Sequence, residues 1–449
     1  MPKKNNWNKR RFHLILQRKD KVVFALFACL FLMVSYCLLT VTFSQKLFFF
    51  MFSFPAVIYI VMQIYCATLY QPREKRKYAI RPEEKVAVIM PCCNESAEIV
   101  ENVLRQLTEA SVPIDEIYFV DDGSFNLSAY HKAIEMRKAL YEKSSLPSVA
   151  SEHFAPDKEI HIPELIVHRF KENRGKRQAQ AWAVQQTDAD FIITVDADGT
   201  MNSDAIEQLL IPFKDPEVMA VTGQIEVLNT NDNLFTKTMD LHYHQIFQLE
   251  CAAPSVTGNI LYCSGPLSCY RRDVFAKNLQ AYTGQSFLGK SVDAGDDRHL
   301  TMHANGMGKT VYQSTAICQT EVPASIKSFC SQQLRWGRSF IIESMLSLKH
   351  YFSHHRKLFF WTLGELAVSF LVIGGLLLDI LFHPSSLWQI LLLYTVFIVL
   401  LSYARNSFYF FKKPLEYFLL SPLQGLVQFG IVYPLRIYAL FSLRQFRWE

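Results

Sequence analysis

Apolar runs long enough to cross a bilayer stand at both ends of this 449-residue chain and leave a polar middle between them. A hydrocarbon core roughly 30 Å thick takes about 20 apolar residues as a helix. Residues 22–43 and 47–70 form two such runs, residues 358–382 and 388–403 supply two more, and a last apolar region at 417–441 is interrupted by Pro422, Gly425, Pro434 and Arg436. The 50% hydrophobic and 14% aromatic content is concentrated at the two ends. The chain therefore reads as a membrane protein with a soluble middle. Its first 21 residues carry Lys3, Lys4, Lys9, Arg10, Arg11, Arg18, Lys19 and Lys21 against a single acid, Asp20. A cleaved leader is a poor fit, because the apolar stretch that follows is too long and has no small-residue cleavage site. The arm and the cations Arg73, Lys75, Arg76, Lys77 and Arg81 predict that both ends of the first hairpin are cytoplasmic, with Ser44-Gln45-Lys46 outside.

The formal net charge of +5 is small, and its cations cluster beside the apolar spans. That pattern suits anionic lipid and excludes an extended nucleic-acid surface. The 10 cysteines contain no CxxC pair, which fits free thiols in a reducing compartment.

The middle alternates strand and helix signals. Val86-Ala87-Val88-Ile89-Met90 is a short strand ending in Pro91-Cys92-Cys93-Asn94-Glu95, followed by a helical pattern to Leu107. Ile117-Tyr118-Phe119-Val120 runs into Asp121-Asp122-Gly123-Ser124, and Glu164-Leu165-Ile166-Val167 precedes Asn173-Arg174-Gly175-Lys176-Arg177. Phe191-Ile192-Ile193-Thr194-Val195 breaks into Asp196-Ala197-Asp198-Gly199. Strands alternating with helices predict a parallel sheet, and each strand here ends in polar residues at one edge, where α/β sheets bind ligands.

Asp196 and Asp198, one residue apart, face the same way in an extended chain and can share Mg²⁺ or Mn²⁺ with phosphate oxygens. An ordinary acidic turn uses the same residues. Asp121 or Asp122 can accept hydrogen bonds from a base or ribose, and Gly175 with Lys176 and Arg177 can meet a base edge or phosphates, unless the cations simply decorate a helix start. Gly295-Asp296-Asp297 offers a carboxylate as general base, or only the acids that a helix N-terminus favours. In Gln332-Gln333-Leu334-Arg335-Trp336 a guanidinium suited to pyrophosphate adjoins an indole suited to a sugar face; a basic helix face at a membrane surface is the alternative.

Taken in order and flanked by membrane spans, Asp121-Asp122-Gly123, Asp196-Ala197-Asp198, Gly295-Asp296-Asp297 and Gln332-x-x-Arg335-Trp336 resemble the processive family-2 glycosyltransferases, the cellulose, chitin and hyaluronan synthases. The stretches 255–268 and 308–316 look most like bacterial hyaluronan synthases. The resemblance implies an α/β GT-A (Rossmann-like) domain inserted between transmembrane helices. It also implies UDP-GlcNAc and UDP-GlcA as donors, Mg²⁺ or Mn²⁺ as cofactor, inverting transfer, and secretion of the growing polysaccharide through the membrane part. It makes Asp297 the base and Asp196 and Asp198 the metal and diphosphate site. Asp121, Asp122 and Lys176 become contacts to UDP, Arg335 a contact to pyrophosphate, and Gln332, Trp336 and Cys263 neighbours of the acceptor sugar.

Three departures stand out. Ala197 replaces a frequent serine, Glu250-Cys251-Ala252-Ala253-Pro254 replaces Glu-Arg-Ala-Ala-Gln, and the sequence ends Arg447-Trp448-Glu449 where hyaluronan synthases usually continue Trp-Gly-Thr-Arg, which bears on a C-terminal gating contact. The expected organisation is a basic cytoplasmic arm (1–21), a transmembrane hairpin (22–70), a cytosolic catalytic domain (71–337), an interfacial amphipathic segment (338–357) and a C-terminal transmembrane or re-entrant region (358–449), in the plasma membrane. A chitin-oligosaccharide or other homopolymer synthase would share every catalytic motif. A single-transfer enzyme acting on a lipid would give no lengthening product, and a transporter would leave the carboxylates unexplained.

Overall fold

The computed structural model describes residues 32, 35, 36, 39–74, 83–145, 161–353, 355–412 and 414–443. The basic arm, most of the first expected span, the cations Lys75, Arg76, Lys77 and Arg81, and the ending Arg447-Trp448-Glu449 lie outside the described residues. Contacts divide the chain into two units, one within Met1–Met62 and Gly364–Ile437, the other within Gln63–Leu363 and Tyr438–Glu449.

The second unit is built on an eight-stranded sheet. Its strands are β1 (Val86–Cys92), β2 (Glu116–Asp121), β3 (Glu164–Arg169), β4 (Phe191–Val195), β5 (Thr200–Met201), β6 (Val218–Val227), β7 (Leu267–Arg271) and β10 (Lys309–Thr320), with β8 (Ser286–Phe287) and β9 (Lys290–Ser291) forming a separate hairpin. The order is β3-β2-β1-β4-β7-β6-β10-β5. Val86 to Met90 and all five residues of β4 are buried, as expected of strands covered on both faces. Each buried aliphatic side chain of that size contributes about 1.5–3 kcal/mol.

β1 pairs in parallel with β2 and with β4, and β2 with β3, so the first four strands form the parallel array that the alternating pattern predicts. β6 and β10 are also parallel to each other, but the strand between β4 and β6 is reversed. β7 runs antiparallel to both β4 and β6, and the sheet is mixed. β7 reads Leu-Ser-Cys-Tyr-Arg, too short and polar to announce itself, and it is held by pairing on both sides. Arg271 at its end also donates to the Val218 and Phe213 carbonyls at 2.8 and 2.9 Å.

Helices pack on the sheet through apolar stripes. α1 (Ala97–Thr108) starts at Ser96, whose hydroxyl accepts from the Ile99 N–H, and it buries Val100, Val103, Leu104 and Leu107 at helical spacing. Three further helices position functional residues: α2 (Lys176–Gln186), α3 (Asp296–Met307) and α4 (Ile326–Tyr351). α4 is one 26-residue helix that runs through the boundary expected at residue 338, with Phe340, Ile341 and Ile342 buried. Because β1 has β2 on one side and β4 on the other, their carboxyl ends share one crevice.

Four helices among the described residues are long and apolar enough to cross a membrane: Phe43–Leu69, Arg356–Phe382, Pro384–Arg405 and Leu415–Phe441. The first takes in the Ser44-Gln45-Lys46 link, with the Thr42 N–H donating to Gln45 Oε1 at 2.7 Å at its start. The interruption expected at 417–441 takes the form of a π-helical turn, Gln428–Val432. Two sets of polar groups inside the first unit are paired, as a low-dielectric environment favours. Arg436 donates to Ser369 Oγ at 2.5 Å, and Ser369 in turn donates to the Glu365 carbonyl. Fully buried Asp379 accepts from the Tyr394 hydroxyl at 3.3 Å and lies 3.3 Å from His383. His383 Nε2 also sits 2.8 Å from Ser44 Oγ, so the Ser44-Gln45-Lys46 link and the His383 turn lie at the same end of this unit.

Candidate active site

Lys176 opens α2, directly after Gly175, and its Nζ lies 2.6 Å from Asp196 Oδ1 and 3.7 Å from Asp296 Oδ2. Three elements far apart in sequence are thereby brought to one point: the start of α2, the end of β4 and the start of α3. Burial opposes the Lys176 charge, but Asp196 and Asp296 outweigh it and raise the ammonium above its ordinary range. The site keeps room for this pair because residue 265 is glycine. A Cβ there would stand 2.9 Å from Lys176 Nζ and 3.4 Å from Asp196 Oδ2. Arg335, on α4, joins the group; burial lowers its guanidinium while the Asp296 and Asp196 carboxylates act to restore it.

Asp198 is pushed up by burial and by Asp196, with Lys176 pulling it back and Glu321 adding to the rise. Glu95, just beyond β1, is raised by burial and then by Asp198 and Asp196. Carboxylates that raise one another in a crevice favour a bound cation. Asp196 and Asp198 fit a hard divalent ion that keeps other ligands of its own, although no group of three or more His, Cys, Asp or Glu converges in metal-holding geometry among the described residues.

Asp297 is the next residue along α3. The helix begins at Gly295 in the left-handed region, φ 81°, where any Cβ would collide with Ser339 Oγ, so glycine sets the angle at which both aspartates enter. Burial, and after it Asp296, raises the Asp297 carboxyl to about 6. Its Oδ1 accepts from the Arg298 N–H at 2.8 Å, and its carbonyl accepts from Thr301 Oγ1 at 2.6 Å. A carboxylate tuned toward neutrality is what proton abstraction near pH 7 calls for.

Asp121 is fully buried; its Oδ2 accepts from Arg169 Nε at 2.9 Å while its Oδ1 has no protein partner. A buried acceptor left open at a strand end suits a ligand N–H or O–H. Asp122 is committed differently, accepting the N–H groups of Arg174 and Gly175 at 2.7 and 2.9 Å and so shaping the turn that delivers Lys176. Arg177, expected beside Lys176 as a second cation for the ligand, points inward instead. It is 4% exposed, donates to Gln285 Oε1 and to the Tyr282 and Ala294 carbonyls, and lies 3.8 Å from Glu343. Successive residues at a helix start face different ways, so only one of the two cations reaches the crevice.

Cys263 is fully buried, with its N–H donating to Thr301 Oγ1 at 2.8 Å and its thiol pushed up to about 12 by burial. It forms wall, and any influence on a sugar passes through its neighbours. Trp336 is 38% exposed and Gln332 half-buried, on the helix that carries Arg335. Two side chains that the sequence did not single out for this crevice also bear on it. Tyr243, on Leu234–Gln245, is half-buried and raised by burial and by Asp198 and Asp196, and Glu321 follows β10. No local motif marks either one.

Comparison with known proteins gives the family and the fold. Residues 87–279 match Glycosyl transferase family 2, and residues 191–405 match Glycosyl transferase family group 2. A hyaluronan synthase of Streptococcus pyogenes serotype M1 is 39% identical over 396 residues, covering 87% of this chain and 88% of that protein. An N-acetylglucosaminyltransferase of Rhizobium meliloti is 32% identical over 378 residues, 82% of each. Among solved structures, a mannosyltransferase from Pyrobaculum calidifontis, in complex with GDP-Man and Mn²⁺, superposes with a TM-score of 0.55 at 15% identity. It covers 89% of this chain and 99% of its own, a likeness of fold.

Proposed function

The chain belongs to the family-2 glycosyltransferases, in the group that contains the hyaluronan synthases, and on that premise we propose that it polymerises hyaluronan from UDP-GlcNAc and UDP-GlcA. The observation that carries this reading is the meeting of Lys176, Asp196 and Asp296 at the crevice beside the raised Asp297 carboxyl.

In inverting transfer the acceptor hydroxyl loses its proton as it attacks the anomeric carbon, and UDP departs from the opposite face of the sugar. Asp297, ionised above about pH 6, takes that proton. Lys176 and Arg335 supply positive charge to the departing diphosphate. The open Oδ1 of Asp121 accepts from the base or ribose of UDP, and Asp122 holds the turn that presents Lys176. Asp196 and Asp198 would hold Mg²⁺ or Mn²⁺, which when bound neutralises charge on the leaving group. The Trp336 indole stacks on the acceptor sugar, with Gln332 one turn before it and Cys263 backing the wall.

We place the catalytic unit in the cytoplasm, where the cation bias puts it, and the membrane helices in the plasma membrane as the route by which the polymer leaves. A hydrophilic chain cannot pass hydrocarbon unaided, and the spans contain the ionisable side chains Glu365, Asp379 and Arg436, which are tolerated there chiefly where they face protein or water. A chitin-like homopolymer synthase is the second reading, favoured by the 32% identity to an N-acetylglucosaminyltransferase. Donor dependence separates the two. With UDP-GlcA alone, an alternating polymerase adds at most one sugar per chain and stops, and with UDP-GlcNAc alone it does the same. A homopolymer synthase continues on UDP-GlcNAc alone.

A further inference from the structure

Beyond the aspartates at its start, α3 carries two imidazoles one turn apart on the same face, His299 and His303, and their Nε2 atoms lie 3.4 Å from each other. His299 is 5% exposed, and its Nδ1 lies 3.2 Å from Glu343 Oε2. Glu343, 1% exposed, also accepts from Gln285 Nε2 at 2.6 Å. A carboxylate at Nδ1 fixes that nitrogen as the donor and leaves the Nε2 lone pair facing His303, the arrangement that stands behind most metal-bound histidines. A cavity of about 570 Å³ gives access to both rings, and His350 and Lys349 line it as well.

The separation is long for a hydrogen bond and fits a chelating pair. An ordinary hydrogen bond from a ring N–H spans about 2.7–3.2 Å. Two Zn–N bonds of about 2.0–2.1 Å at the tetrahedral angle put their nitrogens about 3.3–3.4 Å apart. We propose that His299 and His303 chelate a divalent transition-metal cation of the Zn²⁺ class, with Glu343 orienting His299 and water from the cavity completing the shell. This site is separate from the carboxylates at the end of β4. The two differ in donor type, imidazole against oxygen, so Mg²⁺ is directed to one and Zn²⁺ to the other. A cation here bridges successive turns of the helix that begins with Asp296 and Asp297. It also holds Glu343, which through Gln285 reaches Arg177, the neighbour of Lys176.

The test uses the full chain in detergent with saturating Mg²⁺ and UDP, titrated with Co²⁺ and Zn²⁺. One equivalent should bind, with visible Co²⁺ bands of a four-coordinate nitrogen and oxygen site and no thiolate charge-transfer band. His303→Ala and His303→Gln should each weaken binding by about tenfold or more while UDP release in Mg²⁺ persists. His131→Ala, at an exposed position on Ser128–Ser145, should change nothing. Equal affinity in the wild type and the His303 variants overturns the assignment. Pulsed electron paramagnetic resonance of the Cu²⁺-loaded wild type tests it without any variant: coupling to two imidazole nitrogens supports the site, and coupling to none or to one contradicts it.

Discussion

The Lys176 ammonium lies 2.6 Å from the Asp196 carboxylate, so a cation at a helix start and an anion at a strand end hold each other in the crevice. A diphosphate entering there competes for Lys176, and a divalent cation competes for Asp196. Asp196→Asn or Asp198→Asn should therefore lower kcat/KM by roughly 10²–10³-fold, chiefly through weaker UDP and metal binding. A chelator should reproduce the loss, and Mg²⁺ or Mn²⁺ should reverse it. Turnover undiminished in either variant, measured as UDP release, would refute the role.

Asp297 sets a pH dependence whose sign follows from its raised carboxyl. Protonated, it cannot accept the acceptor's proton, so the rate should fall about tenfold per pH unit below about 6 and level off above it. Asp297→Asn should abolish transfer, remove that acidic limb from any residual rate, and leave UDP binding intact by calorimetry. Loss of UDP affinity with an unchanged maximal rate would make Asp297 a binding residue and Asp296 the candidate base.

Gly265 gives a prediction that rests on space alone. The Cβ of Gly265→Ala falls 2.9 Å from Lys176 Nζ, a flexible side-chain end that can move aside at the expense of its pairing with Asp196. Donor KM should rise several-fold with thermal stability little changed. An unaltered KM would mean that Lys176 does not take part in donor binding.

Sidedness is checked by labelling single introduced cysteines with a membrane-impermeant reagent. Ser385, exposed in the link between two spans, should react from outside the cell. Ser124 is 3% exposed and would be silent on either side, so exposed Asn126 is the better partner, and it should react only after permeabilisation. The reverse pattern would invert the topology.

The sequence was most informative where a strand is buried on both faces and ends in charge. Runs such as Val86 to Met90 and Phe191 to Val195 were readable because burial on two faces leaves no polar alternation, and the polar residues after them mark the edge. The antiparallel β7 was not readable, since its direction is set by β4 and β6 and not by anything within Leu-Ser-Cys-Tyr-Arg. Lys176 and Arg177 look alike in sequence, yet the crevice takes one and the helix packing takes the other. Glu95, Tyr243 and Glu321 come from three separate elements and carry no local signature, so only the fold shows that they bear on Asp198 or Asp196.

The most direct test of the central claim is to incubate the purified protein, reconstituted in vesicles with Mg²⁺ or Mn²⁺, with UDP-GlcNAc and UDP-GlcA, and to size the product. The account predicts a long polymer that forms only with both donors, is cleaved by a hyaluronan-specific lyase, and shortens relative to UDP released when Trp336 becomes alanine. A long polymer from UDP-GlcNAc alone, or UDP release from both donors with no lengthening product, would contradict it.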